Sequence, residues 1–196
     1  MIRSFLAIEI PVTVLEKIEK IQEDLKSSRA DVRWVNPGKI HLTLKFFGNI
    51  EESKVESIVE SIGGPVHTTS PFSLQAKGLG AFPHFRNPRV VWLGLVDRQQ
   101  ILIPLQKQLE DQLEKIGFQR EDRPFQPHLT LGRTTSSRGR DELVGRMEKY
   151  REEEFGEFQV EGVTLFKSEL NPSGPIYTRL KELKFGGGSK SEEIGR

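Results

Sequence analysis

Cysteine is absent from the 196 residues of this chain. Its absence excludes disulfide bridges, thiolate nucleophiles and zinc sites built on thiolates. Disulfides belong to oxidising compartments, so a chain without cysteine is expected in the cytoplasm.

Long hydrophobic runs and an excess of charge of one sign are also missing. The N-terminal stretch MIRSFLAIEI is interrupted by Glu9 and lacks a small-residue cleavage site after it, so it is unlike a secretory signal. No stretch approaches the ~20 apolar residues that cross a bilayer. The net charge of +1 argues against a general polyanion binder held by bulk electrostatics. We therefore expect a soluble protein with no membrane partner.

Hydrophobic residues make up 35% of the chain and charged residues 29%, as in globular domains rather than disordered chains. A chain of this length can fold as one domain or as two small lobes with a common interface. The Gly-, Ser- and Glu-rich residues 186–196 predict a disordered tail, and residues 1–185 are expected to form a single bilobal domain.

Hydrophobic periodicity predicts alternating strands and amphipathic helices. Helical spacing of apolar residues covers 14–25, 55–62 and 101–116, with Gly63-Gly64 and Gly117 as expected helix ends, and a fourth helix is predicted around 142–150. Strands are predicted for SFLAIEI, VRWV, residues 40–46, PFSLQAKG, RVVWLGLV, HLTLGR, FGEFQVEGVTLF and PIYTRLKELKF, with a turn-rich AFPHFRNP. This order favours an α+β fold with two similar halves.

Two of the four histidines stand in the same tetrapeptide, His-Leu-Thr-Leu, at residues 41–44 and 128–131, a shift of 87 positions. Around the first copy, Ile40, Leu42, Leu44 and Phe46 alternate with His41, Thr43 and Lys45. Alternation predicts a half-buried strand with the second set on its polar face. Residues two apart on a strand point the same way, about 6.6 Å apart, so each copy places an imidazole beside a hydroxyl.

If the two halves face each other, the paired motifs form a cleft suited to metal-independent chemistry at phosphorus. Imidazole has an unperturbed pKa of about 6.5, so one ring can accept a proton while the other donates one. The hydroxyls of Thr43 and Thr130 could hold the non-bridging oxygens. A strained 2′,3′-cyclic phosphate is a natural substrate, whereas monoesters and polyphosphates more often require magnesium or a covalent nucleophile. The identical motifs do not distinguish acid from base.

Other interpretations of the motif are weaker. One copy alone could be a strand with two polar residues on its solvent-exposed face. For two copies, the same pattern would have to arise by chance on both strands. Zinc is disfavoured because neither motif strand carries a second imidazole or a carboxylate, and threonine is a poor zinc ligand; no metal ligand is predicted. A G-x-S-x-G nucleophile turn is absent, which argues against a serine hydrolase.

Basic residues surround the second motif: residues 116–140 carry five arginines against two acidic residues. Such a run is commonly a solvated face. Arg133, directly after HLTLG, is a better candidate than Arg123 to bind phosphate, with a surface salt bridge as the alternative. No catalytic role is expected of His67 and His84. Packing rather than base stacking is expected of nearby aromatic residues: Trp34, Trp92, Phe47, Phe82 and Phe85.

Paired H-x-T-x motifs in a chain of this size resemble the two-histidine phosphoesterase superfamily. With FLAIEIP, IHLTLKFFG, RVVWLGL and RPFQPHLTLGR, the chain resembles the bacterial and archaeal RNA 2′,3′-cyclic phosphodiesterases, formerly called 2′-5′ RNA ligases, over nearly all of residues 1–185. The resemblance implies two lobes about a pseudo-two-fold axis, with mixed or antiparallel sheets, helices on the outer faces and a central cleft.

The same resemblance implies roles for the motif residues. His41 would donate a proton to the leaving ribose oxygen, His128 would activate water as the base, and Thr43 and Thr130 would bind phosphate, with Arg133 as a further substrate-binding residue. We expect a monomer without metal or cofactor that converts RNA or nucleotides ending in 2′,3′-cyclic phosphate to 2′-phosphomonoesters. Two alternatives stay open: 2′-5′ ligation of RNA halves, and a nucleotide- or RNA-binding module without turnover.

Overall fold

Two antiparallel sheets form the frame of the protein in a computed structural model, which describes residues 1–172 and 174–186. The predicted tail covers residues 186–196, and from residue 187 onward it lies outside the described residues. The strands are β1 Ile2–Glu9, β2 Val32–Trp34, β3 His41–Ile50, β4 Phe72–His84, β5 Asn87–Val96, β6 His128–Thr134, β7 Glu154–Val160, β8 Gly162–Glu169 and β9 Ile176–Lys184. The helices are α1 Val12–Lys26, α2 Lys54–Thr68, α3 Leu102–Lys115 and α4 Arg140–Lys149, with a 3₁₀ turn at Pro37–Lys39.

The sheets bring the two motif strands together. The first sheet has the strand order β3-β1-β8-β9, and the second has the order β2-β6-β5-β4-β7. Strand β3 begins with His41 and β6 begins with His128. These two strands contact each other, so the histidine-bearing strands lie where the sheets meet.

Each sheet carries two helices. Helices α2 and α3 pack together beside the first sheet, where α2 contacts β9; we call this the first lobe. Helices α1 and α4 pack together against β4, β5 and β7 of the second sheet, which form the second lobe. Helix α1 follows β1 of the first sheet yet packs on the second, so the halves exchange helices. The predicted two-lobed α+β fold is confirmed.

One buried apolar cluster runs through both lobes. Each helix contributes a stripe of buried residues, for example Val14 and Ile18 from α1 and Leu105 and Leu109 from α3. The strands contribute their inward faces, including Leu42 of β3. This continuous core is compatible with one bilobal domain over residues 1–185, whose boundaries stay a prediction. Within the described residues, no helix is long and apolar enough to span a membrane.

The predicted end of α2 at Gly63-Gly64 was wrong. The helix continues through Pro65 to Thr68. Its buried stripe of Ile58 and Ile62 extends to Val66, which is 1% exposed. Burial of this last apolar side chain outweighs the poor helix propensity of the two glycines.

Two predicted strand boundaries also differ from those in the structure. The segment AFPHFRNP is mostly strand, because β4 runs to His84 and β5 begins at Asn87, with the connection at residues 85–86. FGEFQVEGVTLF is not one strand: β7 pairs with β4 in the second sheet, and β8 pairs with β1 in the first. Glu161 connects them, and alternation alone cannot show that consecutive strands belong to different sheets.

Candidate active site

A cleft of about 900 Å³ lies between the two motif strands. Thr43 of β3 lines one side, and His128, Thr130 and Arg133 of β6 line the other. His41 does not line this cleft directly; it precedes Thr43 on the same face of β3. Further cleft residues are Phe46, Phe82, Arg89, Arg123 and Phe125. The cleft therefore unites four of the five predicted site residues, with His41 beside it.

Each motif ends in a β-bulge. Ala7 of β1 pairs with Thr43 and Leu6 pairs with Lys45, so Leu44 is the extra residue in β3. In the second lobe, Trp92 of β5 pairs with Thr130 and Val91 pairs with Gly132, so Leu131 is the extra residue in β6. Both bulges fall on the last leucine of His-Leu-Thr-Leu. A bulge changes which later residues face each side of the sheet.

The bulges correct the predicted faces of β3. Alternation placed Phe46 with the apolar residues and Lys45 with His41 and Thr43. The placement of Phe46 was wrong, and Lys45 borders the cleft but is buried rather than solvated. Lys45 is buried, at 4% exposure, and Phe46 is 42% exposed and lines the cleft. The bulge in β6 likewise turns Arg133 to the cleft side. Phe46 and Arg133 occupy the same motif position, 87 residues apart.

A buried ion pair adjoins the first motif, and its Lys45 also borders the cleft. The Lys45 Nζ donates to a Glu110 carboxylate oxygen at 2.9 Å, and neither side chain is more than 8% exposed. Lys45 also donates to the carbonyl oxygen of Gln119, at the beginning of the segment that leads to His128. The pair thus connects β3, α3 and the loop between α3 and β6.

The His41 imidazole is held by its own backbone and by aromatic rings. Its Nδ1 donates to the carbonyl oxygen of Lys39 at 2.8 Å. The ring stacks on Phe5, with centroids 4.6 Å apart and 23° between planes, and meets Tyr177 edge-on at 5.3 Å. Burial lowers the pKa of His41 below its usual 6.5, and the hydrogen bond to Lys39 opposes part of that shift.

The His128 imidazole repeats this arrangement in the second lobe. Its Nδ1 donates to the carbonyl oxygen of Gln126 at 2.6 Å, and Phe82 meets the ring edge-on at 5.0 Å. Burial lowers the pKa of His128; the Gln126 hydrogen bond opposes that effect, and the positive charge of Arg133 lowers the pKa further. In both rings Nδ1 carries hydrogen because a carbonyl only accepts, so Nε2 is the nitrogen that can take up a proton.

Sequence reasoning missed several aromatic residues. Phe5 and Tyr177 flank His41, and Trp92 lies 6.2 Å from His128 with its ring tilted. Trp92 and Phe82 lie beside His128 and outside the main core. The expected core packing of Trp92 is therefore wrong, and its indole packs locally against β4 instead. The signal was Gly80, which pairs with Trp92 from β4: a Cβ there would lie 2.1 Å from the indole ring.

The other aromatic residues and histidines singled out in the sequence lie away from the motif histidines. Trp34, Phe47 and Phe85 pack against the main core, as predicted. His67 and His84 are exposed and do not line the cleft. Arg133 and Arg123 both line it, and Arg133 forms no salt bridge within residues 1–172 and 174–186. In the same part of the chain, no cluster of three or more His, Cys, Asp or Glu side chains suits a metal ion.

Comparison with known proteins agrees with this geometry. A family model described as the 2′-5′ RNA ligase superfamily matches residues 10–172. The RNA 2′,3′-cyclic phosphodiesterase of Methanothermobacter thermautotrophicus is 38% identical over 180 residues, which cover 92% of this chain and 97% of that protein. The crystal structure of TT0787 of Thermus thermophilus is similar with a TM-score of 0.80 at 28% identity, covering 95% of this chain and 100% of that one.

A ligand-bound structure is also similar. The crystal structure of Escherichia coli LigT complexed with 3′-AMP has a TM-score of 0.72 at 27% identity and covers 94% of this chain and 98% of that one. The match of the family model over most of the chain, and a full-length relative at this identity, agree with the paired motifs. The chain belongs to the 2′-5′ RNA ligase superfamily.

Proposed function

We propose that this enzyme hydrolyses RNA 2′,3′-cyclic phosphodiester ends to 2′-phosphomonoesters, with His41 and His128 as a general acid-base pair. One observation carries the proposal: two imidazoles in the same tautomer begin two strands that meet at a common cleft. The relatives named RNA 2′,3′-cyclic phosphodiesterase support the reaction class. The structurally similar LigT, which was crystallised in complex with 3′-AMP, supports a nucleotide as a ligand.

His128 is the base in this proposal. Burial and the charge of Arg133 lower its pKa, so the ring is neutral near pH 7 and its Nε2 can accept a proton from water. The water oxygen forms a bond to phosphorus as His128 takes up the proton. Water lies on the side opposite the 3′ oxygen, because attacking and leaving oxygens are roughly in line in phosphoryl transfer.

His41 is the acid. The bond from phosphorus to the 3′ oxygen breaks, and protonated His41 supplies the proton that this oxygen takes up, leaving a 2′-phosphomonoester and a free 3′ hydroxyl. Burial lowers the pKa of His41 in the free enzyme, but the negative phosphodiester favours the protonated imidazole when it binds. Exchange of protons with solvent restores both rings.

Three further residues act on the phosphate. The hydroxyls of Thr43 and Thr130 donate to the two non-bridging oxygens, whose charge must be stabilised during the reaction. Arg133, which is exposed to the cleft, can contact phosphate through two parallel N–H bonds. No step requires a metal ion or cofactor. We further propose that the enzyme acts as a monomer in the cytoplasm.

The test is product analysis on RNA that ends in 2′,3′-cyclic phosphate, with EDTA present. We expect a 2′-phosphomonoester, and a loss of about 10² to 10⁴-fold in turnover for His41→Ala or His128→Ala, the usual contribution of general acid-base catalysis. His67→Ala, which changes an exposed histidine on α2, is the matched control. Activity that survives both motif substitutions, or that disappears with EDTA, contradicts the proposal.

The two alternatives are not favoured. The relatives from Methanothermobacter thermautotrophicus, Methanocaldococcus jannaschii and Archaeoglobus fulgidus are named RNA 2′,3′-cyclic phosphodiesterases. A neutral imidazole with an available Nε2 is suited to activating water. Incubating cyclic-phosphate and 5′-hydroxyl RNA halves tests ligation, because a joined product that forms faster than the 2′-monoester would overturn our assignment. Tight nucleotide binding without any turnover would support a binding module instead.

A further inference from the structure

Two buried glutamines occupy matching places on α1 and α3. Gln22 lies within IEKIQEDL, residues 18–25, and Gln106 lies within LIPLQKQL, residues 102–109. The two octapeptides share large aliphatic residues at their first, fourth and eighth positions and glutamine at the fifth, at a shift of 84 residues. Gln22 is 1% exposed and Gln106 is 8% exposed. Glutamine is rarely buried to this extent without a hydrogen-bonding role.

Each glutamine donates to the last leucine of one motif. The Gln22 Nε2 lies 2.9 Å from the carbonyl oxygen of Leu131, and the Gln106 Nε2 lies 3.3 Å from that of Leu44. The pairing crosses between the halves of the sequence, because α1 precedes the first motif yet contacts the second. This is the same exchange of helices that the fold shows.

The leucines that accept these bonds are the two bulge residues. A bulge leaves its extra residue outside the regular ladder, and Leu44 and Leu131 are buried at 3% and 0% exposure. A buried carbonyl without a partner is costly. The glutamine amides therefore supply hydrogen-bond donors at the points where the regular pairing of β3 and β6 is interrupted.

The bulges have a direct consequence for the cleft. Thr43 and Thr130 immediately precede them, and Phe46 and Arg133 face the cleft because of them. We propose that Gln22 and Gln106 are positioning residues that hold the two bulges. They thereby fix the histidine and threonine of each motif and the cleft residue two positions after it, Phe46 or Arg133. Their effect on turnover rests on the proposed function; their effect on motif geometry does not.

The two glutamines are not equally well bonded. The Gln22 amide also donates to the Val35 carbonyl oxygen at 2.8 Å, and Leu131 also accepts from the Val35 N–H at 2.9 Å. The second donor bond of Gln106 goes to Glu110 at 3.3 Å. The Leu131 carbonyl keeps the Val35 N–H when the Gln22 amide is removed, so we expect comparable effects in the two lobes.

The experiment compares Gln22→Met and Gln106→Met with Gln108→Met. Methionine has a similar volume and removes the donor, and Gln108 is an exposed glutamine on α3. Imidazole ¹H–¹⁵N spectra are recorded across a pH titration without substrate; only four histidines contribute. We expect Gln22→Met to shift the resonances and pKa of His128 alone, Gln106→Met those of His41 alone, and Gln108→Met neither.

Turnover on cyclic-ended RNA provides the second readout. We expect a loss of about tenfold to hundredfold in kcat/KM for each motif-side variant, the range that a small misplacement of reacting groups produces. Both kcat and KM should change, because the bulges position the histidines as well as the phosphate-binding threonines. Gln22→Glu and Gln106→Glu should recover part of it, since a buried carboxyl stays protonated and keeps one donor. Gln22→Leu and Gln106→Leu, which also lack the donor, replace the methionine variants if the latter do not fold.

Two results overturn the inference. One is a folded methionine variant whose histidine resonances match those of Gln108→Met. The other is a pair of variants that disturb both histidines equally, since general loosening of the core has no lobe preference. If the wild-type enzyme shows no turnover at all, the proposed function fails, and the imidazole spectra still decide the role of the glutamines.

Discussion

The Nδ1 of His128 lies 2.6 Å from the carbonyl oxygen of Gln126, two residues earlier in the chain. His41 has the same relationship to Lys39, at 2.8 Å. A backbone carbonyl thus fixes the tautomer of each ring, the task that a carboxylate performs in many acid-base sites. Without a carboxylate to stabilise the charged ring, burial dominates, and the pKa of each imidazole falls below 6.5.

This electrostatic state predicts the pH dependence of turnover. Hydrolysis needs neutral His128 and protonated His41, so kcat/KM should be bell-shaped and centred between two pKa values that are both lowered. We expect its maximum below about pH 6.5. The profile of kcat should lie at higher pH, because bound phosphodiester raises the pKa of His41. Initial rates from pH 4 to 9 measure both, and a kcat/KM maximum well above neutrality would contradict the burial of the two rings.

Arg133→Gln separates the two histidines electrostatically. The arginine charge lowers the pKa of His128, whereas the pKa of His41 is set by burial and by the hydrogen bond to Lys39. Its removal should raise the pKa of His128, move the acid limb of kcat/KM to higher pH, and raise KM through the lost phosphate contact. Imidazole titration by NMR measures the shift directly. Arg138→Gln, an exposed arginine outside the cleft, should leave His128 unchanged.

The extent to which the site could be predicted depends on how local each feature is. The positions of His41, Thr43, His128 and Thr130 follow from two short motifs, each of which predicts a strand by itself. The bulges at Leu44 and Leu131 do not, because they depend on the partner strands and on amides from distant helices. The predicted faces are correct up to the bulge and wrong beyond it.

The fold shows the same limit. Hydrophobic periodicity identified the helices, since each buries its own apolar stripe. It did not predict the end of α2, which continues past Gly63-Gly64 because Val66 is buried in the core. Strand alternation could not show that β7 and β8 separate at Glu161 into different sheets. Nor could it place Trp92 beside His128, because that contact requires the glycine on β4 opposite the indole ring.

Lys45→Met tests the buried ion pair beside the first motif. It leaves the Glu110 carboxylate buried without its cationic partner, and breaking a buried pair from one side costs about 3–5 kcal/mol. We expect a loss of this order in the free energy of unfolding, measured with urea. The double variant Lys45→Met/Glu110→Leu should recover most of it, because replacing both charges with apolar groups removes the desolvation cost.

The matched control for Lys45→Met is Glu148→Gln, which breaks the exposed pair of Arg151 and Glu148. Exposed pairs contribute little to stability, so no measurable change is expected there. If Lys45→Met caused no measurable change either, the ion pair would not stabilise the fold. The hydrogen bond from Lys45 to the Gln119 carbonyl would then not hold the loop in place.

Gly80→Ala tests whether the indole of Trp92 transmits strain to His128. A Cβ at residue 80 would lie 2.1 Å from the Cη2 of Trp92, so the ring must move, and it contacts Phe82 and His128 at 5.3 and 6.2 Å. We expect about 1–3 kcal/mol of destabilisation from overpacking, altered emission of one of the two tryptophans, and shifted His128 resonances. Gly63→Ala, with no atom within 4 Å in a helix, should instead stabilise by about 0.5–1 kcal/mol. Equal behaviour of the two variants would mean that the indole ring is not packed against this strand.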